Sequence, residues 1–149
     1  ANVGYVHAIA HQFGGKYHTP HGLANAIMLP HVLKYSLPAI TDRLALLAVR
    51  AKLGRANESD DVLAQKFLDA VDQLNLDLGI PTFLAALKES DIPKLAEAAC
   101  REAKTGYPVP RYMTQAVCEG IIRQVLPPKA PAAPKAPAKK PVRRAKKAA

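Results

Sequence analysis

The chain has 149 residues, of which 49% are hydrophobic, and a formal charge of +9. That length accommodates one domain with a real core, or one domain and a tail. The charge distribution excludes a fold that is basic throughout: residues 127–149 hold eight Lys or Arg and no acid, leaving 13 basic against 12 acidic side chains before them.

Residues 1–13 have the apolar pattern of a helix, with Gly14 and Gly15 as its expected stop and Lys16 to Pro20 as a connector. Gly22 opens a second apolar helix, which Pro30 is expected to end or kink. A third helix is expected over roughly 37–54, stopping near Gly54. Glu58 to Asp61 supply the polar start of a fourth. There Leu63, Phe67, Val71, Leu74 and Leu78 recur at helical spacing, and Gly79 with Pro81 ends the run.

Two shorter helices are expected near 82–89 and 91–104, the second capped by Asp91 with Pro93 in its first turn. The segment "TGYPVPRY" is a loop. Thr114 then caps a last helix through Leu126, with Val117, Ile121, Ile122 and Val125 turned inward. No segment alternates with period two, so the expected fold class is all-α.

After Leu126 the composition changes to Pro, Ala, Lys, Arg and a single Val. Such a tail has no apolar face to bury and should stay extended and disordered. The domain division is therefore 1–126 for the helical part and 127–149 for the tail. The two cysteines, Cys100 and Cys118, lie in apolar helical patterns without paired spacing, as reduced core thiols of an intracellular, cytoplasmic protein do. No apolar run approaches the eighteen or so residues of a membrane span, and the start has no signal-peptide pattern. The helical pattern is already running at Val3 and Val6, as in the continuation of something longer.

"HAIAHQFGGKYHTPHG", residues 7–22, contains four of the five histidines. His7 and His11 lie four apart on one helix face, so both imidazoles can address the same place. Pro20-His21-Gly22 brings a third to a helix N-terminus, and Gly22 permits close backbone approach to whatever His21 faces. A hydrogen-bonded cluster at the edge of the core and a shared metal ion both satisfy this pattern. His18 and His31 are expected to be structural or solvated.

The stretch "GYVHAIAHQFGGKYHTPHGLANAIMLPHVLKYS" resembles the C-terminal signature of the iron-containing (group III) alcohol dehydrogenases. The resemblance continues through "LGIPTFLAAL", "DIPKLAEAA" and, more loosely, "YPVPRYMT", covering about residues 3–126. It implies the family's multi-helical, dehydroquinate-synthase-like metal-binding domain. It also implies that His7 and His21 are metal ligands, for Fe²⁺ or Zn²⁺. His11 would be a non-ligand residue beside the NAD(P) cofactor and the substrate, where it assists proton movement. The implied reaction interconverts an alcohol with its aldehyde or ketone.

The family's remaining Asp and His ligands, and its NAD(P)-binding half with the phosphate-holding Gly-rich segment, have no counterpart in this sequence. Alone, the chain is thus expected to be inactive. It would be a carboxyl-terminal piece, or a subunit completed by a separate N-terminal half. The competing expectation is a non-catalytic helical fragment whose basic tail binds nucleic acid or another anionic partner.

Overall fold

The computed structural model describes residues 3–128. Six α-helices account for most of them: α1 (Tyr5–Tyr17), α2 (His21–Ser36), α3 (Thr41–Arg50), α4 (Asp60–Asp77), α5 (Ile92–Ala103) and α6 (Gln115–Arg123). Among the described residues there is no strand, and the all-α expectation holds. No helix among them is long and apolar enough to cross a membrane. The tail expectation falls on residues outside the described ones beyond Pro128.

α1 is the central element, packed between α2 and α5, and α5 in turn carries α6. Its Tyr5, Ala8, Ile9, Ala10 and Phe13 are all buried, which is why so short a helix can be apolar on more than one face. α5 buries a stripe of Ile92, Leu95, Ala96, Ala99, Cys100 and Ala103, the i, i+3, i+4, i+7 spacing of one helix face. Small residues dominate that stripe and let α5 lie close to α1. α6 closes this core with Cys118, Ile121 and Ile122, and Val125 just beyond it. A second, smaller core lies between α3 and α4, built on Ile40, Leu44, Ala64 and Leu68, with Leu33 of α2 packed against it.

Helix ends follow charge and capping in places. Asp60 and Asp61 occupy the first turn of α4, where carboxylates offset the positive end of the helix dipole. The Thr114 side chain accepts from the Val117 amide, as expected for its N-cap position. Both cysteines are free and buried. Burial, reinforced by Cys100 alongside, pushes the Cys118 thiol far above its ordinary range, so it stays a protonated core group.

Several boundaries differ from expectation. α1 runs through Gly14 and Gly15 and stops at His18, which takes the left-handed conformation (φ 54°) and donates its backbone N–H to the Gly14 carbonyl at 3.0 Å. α2 does not end at Pro30. It continues to Ser36 with the proline buried inside it. Only Thr41–Arg50 of the third expected helix is α-helical, because Leu37–Ala39, with Pro38, forms a separate 3₁₀ turn. The segment 82–89 forms no α-helix. It packs into the core as irregular chain, burying Leu84 and Leu87, with the Leu84 amide donating to the Val125 carbonyl at 2.9 Å. That tertiary contact overrides the segment's modest helix propensity. α6 ends at Arg123, and three tighter turns carry the chain to Leu126. Val117, expected inward, is at the exposed margin of α6, and Leu74 and Leu78 of the α4 stripe face solvent.

Candidate functional site

A three-residue connector, 18–20, joins α1 to α2, and the two helices pack against each other. The histidines meet there. His7 and His11 occupy successive turns of α1, and His21 is the first residue of α2. Their ring centroids form a near-equilateral triangle: 6.0 Å from His7 to His11, 5.4 Å from His7 to His21 and 5.4 Å from His11 to His21. The His11 and His21 rings stack at 21°, whereas the His7 ring is tilted 50° to His21.

His18 is exposed at the end of α1 and makes no ring contact with the three. His31 is nearly three turns further along α2 from His21, its Nδ1 2.9 Å from Gln124 Oε1 of the chain after α6. It lines a groove of about 590 Å³ with Ile27, Phe83 and Leu126, away from the other imidazoles. Neither ring joins the imidazole cluster. An added Cβ at Gly22 meets nothing within 4 Å, so within the described chain nothing makes the close approach expected at that residue.

Burial disfavours the charged form of His7, and the neighbouring His21 and His11 add to the effect, so its pKa is lowered below the ordinary imidazole value. Near neutral pH the ring is therefore uncharged, with a lone pair available. That is the form in which imidazole binds metals. Two imidazoles sharing one ion through metal–nitrogen bonds of about 2.1 Å keep their centroids about 5 Å apart. The 5.4 Å between His7 and His21 is compatible with such sharing, as is the same distance between His11 and His21. Imidazole nitrogen suits both Fe²⁺ and Zn²⁺. The set is incomplete, since among the described residues no group of three or more His, Cys, Asp or Glu side chains is arranged to hold an ion.

His11 has another partner. Its Nδ1 lies 2.6 Å from Glu102 Oε1 on α5. The same carboxylate accepts from the Tyr107 hydroxyl at 2.8 Å and, through Oε2, from Gln12 Nε2 at 2.8 Å. Beside His21, Asn25 Nδ2 is 3.1 Å from His21 Nε2 and donates to the His21 carbonyl at 2.8 Å. Asn25 Oδ1 is buried and has no partner among the described residues.

Glu102, Gln12, Tyr107 and Asn25 were not among the residues singled out from sequence. Asn25 carries a legible signal, lying one helical turn after His21. Glu102 lies 91 residues from His11 and carries none.

Residues 1–126 match the family model for the Fe-containing alcohol dehydrogenase family, C-terminal. The chain is 40% identical over 126 residues to a 1,3-propanediol dehydrogenase of Klebsiella pneumoniae, a match covering 83% of this chain and 32% of that protein. It is 38% identical over 106 residues to a lactaldehyde reductase of Escherichia coli, covering 70% of this chain and 28% of that one. Among solved structures, a 1,3-propanediol oxidoreductase superposes with a TM-score of 0.77 at 38% identity, over 83% of this chain and 33% of that chain. The chain thus spans about a third of the length of the curated relatives it matches.

Proposed function

This chain belongs to the Fe-containing alcohol dehydrogenase family, in its C-terminal region, and we propose that it supplies half of a metal site in a small-alcohol dehydrogenase. The reaction is the interconversion of an alcohol with its aldehyde or ketone, with NAD(P) as hydride carrier. The observation that carries this reading is the triangle of His7, His11 and His21, three imidazoles within 6.0 Å of one another in a chain of this family. The relatives named for 1,3-propanediol and lactaldehyde support a small alcohol or aldehyde as substrate.

His7 and His21 would hold the ion, Fe²⁺ or Zn²⁺, by their neutral imidazole nitrogens. When bound, a divalent ion supplies Lewis acidity toward the substrate oxygen. His11 takes a different role by its place in the family pattern, and Glu102 occupies one of its two nitrogens. Its other nitrogen is available to hold the proton that the alcohol loses on oxidation and to return it on reduction. The exposed edges of His11 and His21 leave this face open for the substrate, the cofactor and the remaining ligands. Those ligands and the nucleotide-binding fold would come from the family's N-terminal half, so residues 1–149 by themselves should bind metal weakly and turn nothing over. The cytoplasm is the compartment we assign to it. The basic tail lies beyond the family match, which ends at residue 126, and nucleic-acid binding draws no support from the relatives.

The test is to complete the chain with a nucleotide-binding half, fused or in trans. Metal content and NAD(P)-linked activity are then measured for His7→Ala, His21→Ala and His11→Ala. The first two should lose metal and activity together. His11→Ala should keep its metal and lose turnover. Full metal occupancy after loss of His21, or loss of metal with His11, would overturn the assignment.

A further inference from the structure

Glu102 is the charged centre of a small polar network that joins α1 and α5. Three donors converge on its two oxygens: the His11 ring at 2.6 Å, the Tyr107 hydroxyl at 2.8 Å and the Gln12 amide at 2.8 Å. Gln12 is itself fixed, since its Nε2 also donates to the Ala8 carbonyl at 3.0 Å one turn back along α1. An ionised carboxylate only accepts hydrogen bonds. A 2.6 Å contact between it and a ring nitrogen therefore requires the proton to be on that nitrogen, Nδ1. In a neutral imidazole the other nitrogen, Nε2, then carries the lone pair.

We propose that Glu102 is a positioning residue that fixes His11 as its Nδ1–H tautomer, turning Nε2 into the base at this site. The proposal rests on the dehydrogenase reading above for its chemical purpose. In the oxidation direction NAD(P), when bound by the nucleotide-binding half, would supply the hydride acceptor. The O–H bond breaks, and its proton goes to His11 Nε2 and from there to water. A histidine protonated on Nε2 could not accept that proton, so the tautomer decides whether His11 can serve.

Orientation is part of the same device. The His11 ring stacks on His21 at 21°, and a ring held at one edge by Glu102 keeps that stack instead of rotating into solvent, to which 40% of its side-chain surface is open. Tyr107 belongs to the loop after α5, whereas Gln12 is next to His11 on α1. The network therefore couples the ring to two elements other than its own helix. A mere helix–helix staple would use the same contacts but would be indifferent to which nitrogen bears the proton. That difference is measurable.

The experiment is ¹⁵N NMR of the full chain with labelled histidine, at a pH alkaline enough that every imidazole is neutral. The expected spectrum gives His11 a pyrrole-like Nδ1 and a pyridine-like Nε2. Free imidazole side chains prefer the opposite tautomer, so Glu102→Ala should invert the two shifts at His11 and leave those of His31 in place. Glu102→Gln should retain the Nδ1–H form, because its amide oxygen still accepts. An Nε2–H tautomer for His11 in the unaltered chain overturns the proposal, as does an unchanged Nδ1–H tautomer in Glu102→Ala. The first outcome needs no variant, so the proposal can fail even if Glu102→Ala does not fold. No metal, cofactor or turnover enters the measurement, so it stands or falls separately from the metal content of His21→Ala.

Discussion

The side-chain amide of Asn75 donates to the backbone carbonyl of Ala26 at 2.9 Å, from α4 to α2. Ala26 lies four residues before Pro30, so its carbonyl is the one that the missing proline N–H leaves without a helical donor. Asn75 replaces that donor, and α2 passes through a proline without ending.

Asn75→Ala should therefore destabilise the fold by about 1–3 kcal/mol, the range for leaving a partly buried acceptor unpaired. Pro30→Ala restores a backbone N–H in reach of the same carbonyl. In that background Asn75→Ala should cost measurably less, giving a coupling between two residues that do not bond to each other. Urea unfolding of the four proteins in the cycle measures it. Additive effects would mean that the Asn75 contact serves something other than the gap at Pro30.

The same residue explains why half of α4 was illegible. Periodicity points to Leu63, Phe67, Val71, Leu74 and Leu78, and it follows the leucines. Leu63 and Phe67 do pack inward, but beyond them the inward row runs through Ala64, Leu68, the half-buried Val71 and Asn75, ending in a polar residue where Leu74 and Leu78 were expected. No hydrophobic pattern selects an asparagine over the leucine beside it. Helix length contributes as well. α3 has 10 residues and α4 has 18, roughly 15 Å against 27 Å, so the last turns of α4 extend past their partner. Leu74, Leu76 and Leu78 emerge there with 56–66% of their surface exposed.

Leu68→Ala should consequently cost about 2–5 kcal/mol, as truncation of a fully buried leucine does. Leu74→Ala should stay within about 0.5 kcal/mol of the unaltered chain, as exposed positions do. Chemical unfolding midpoints compare them directly. Equal losses would place Leu74 in the core after all.

The site divides in the same way. Two intervals, four residues between His7 and His11 and fourteen between His7 and His21, together with the glycines and Pro20, were enough to assemble three imidazoles on paper. They are local relations along one helix and across one short turn, which sequence spacing encodes directly. Glu102 reaches the cluster only because α5 packs on α1 through small residues, a relation between distant segments that no local interval records.

The lowered pKa of His7 carries a sign that can be checked. Burial is its main cause, followed by His21 and His11. The folded chain resists protonating this ring more than the unfolded chain does, so the unfolded state binds more protons as pH falls below about 6.5. Stability should be fully present above that pH and decline as the pH drops from it toward the folded value. His7→Gln removes the titration and should flatten this part of the stability–pH curve. An unaltered slope between mildly acidic and neutral pH would show that His7 is not disfavoured in its charged form.

A second acid-side effect lies lower on the pH scale and has a different origin. The Tyr17 hydroxyl, at the end of α1, donates to Asp91 Oδ2 at 2.8 Å, and Lys16 lies 3.4 Å from the other carboxylate oxygen. Asp91 stands at the N-cap position of α5 yet makes no side-chain cap bond to its own helix. Its carboxylate is committed to α1 instead. The hydrogen bond from Tyr17 is the largest cause holding its pKa below the usual aspartate range, followed in the same direction by Lys16. A carboxyl with a depressed folded pKa stabilises the fold above its unfolded pKa of about 3.9 and loses that contribution as pH falls through the folded value. Tyr17→Phe removes the donor while keeping the ring that packs on the core. The Asp91 pKa should then rise toward the ordinary value, and the stability lost between about pH 4 and the acid limit should shrink. The shift is read from the carboxyl ¹³C titration of Asp91 and the slope from unfolding at a series of acidic pH values. An Asp91 pKa unchanged by Tyr17→Phe would assign the depression to the lysines, Lys16 and Lys88, instead.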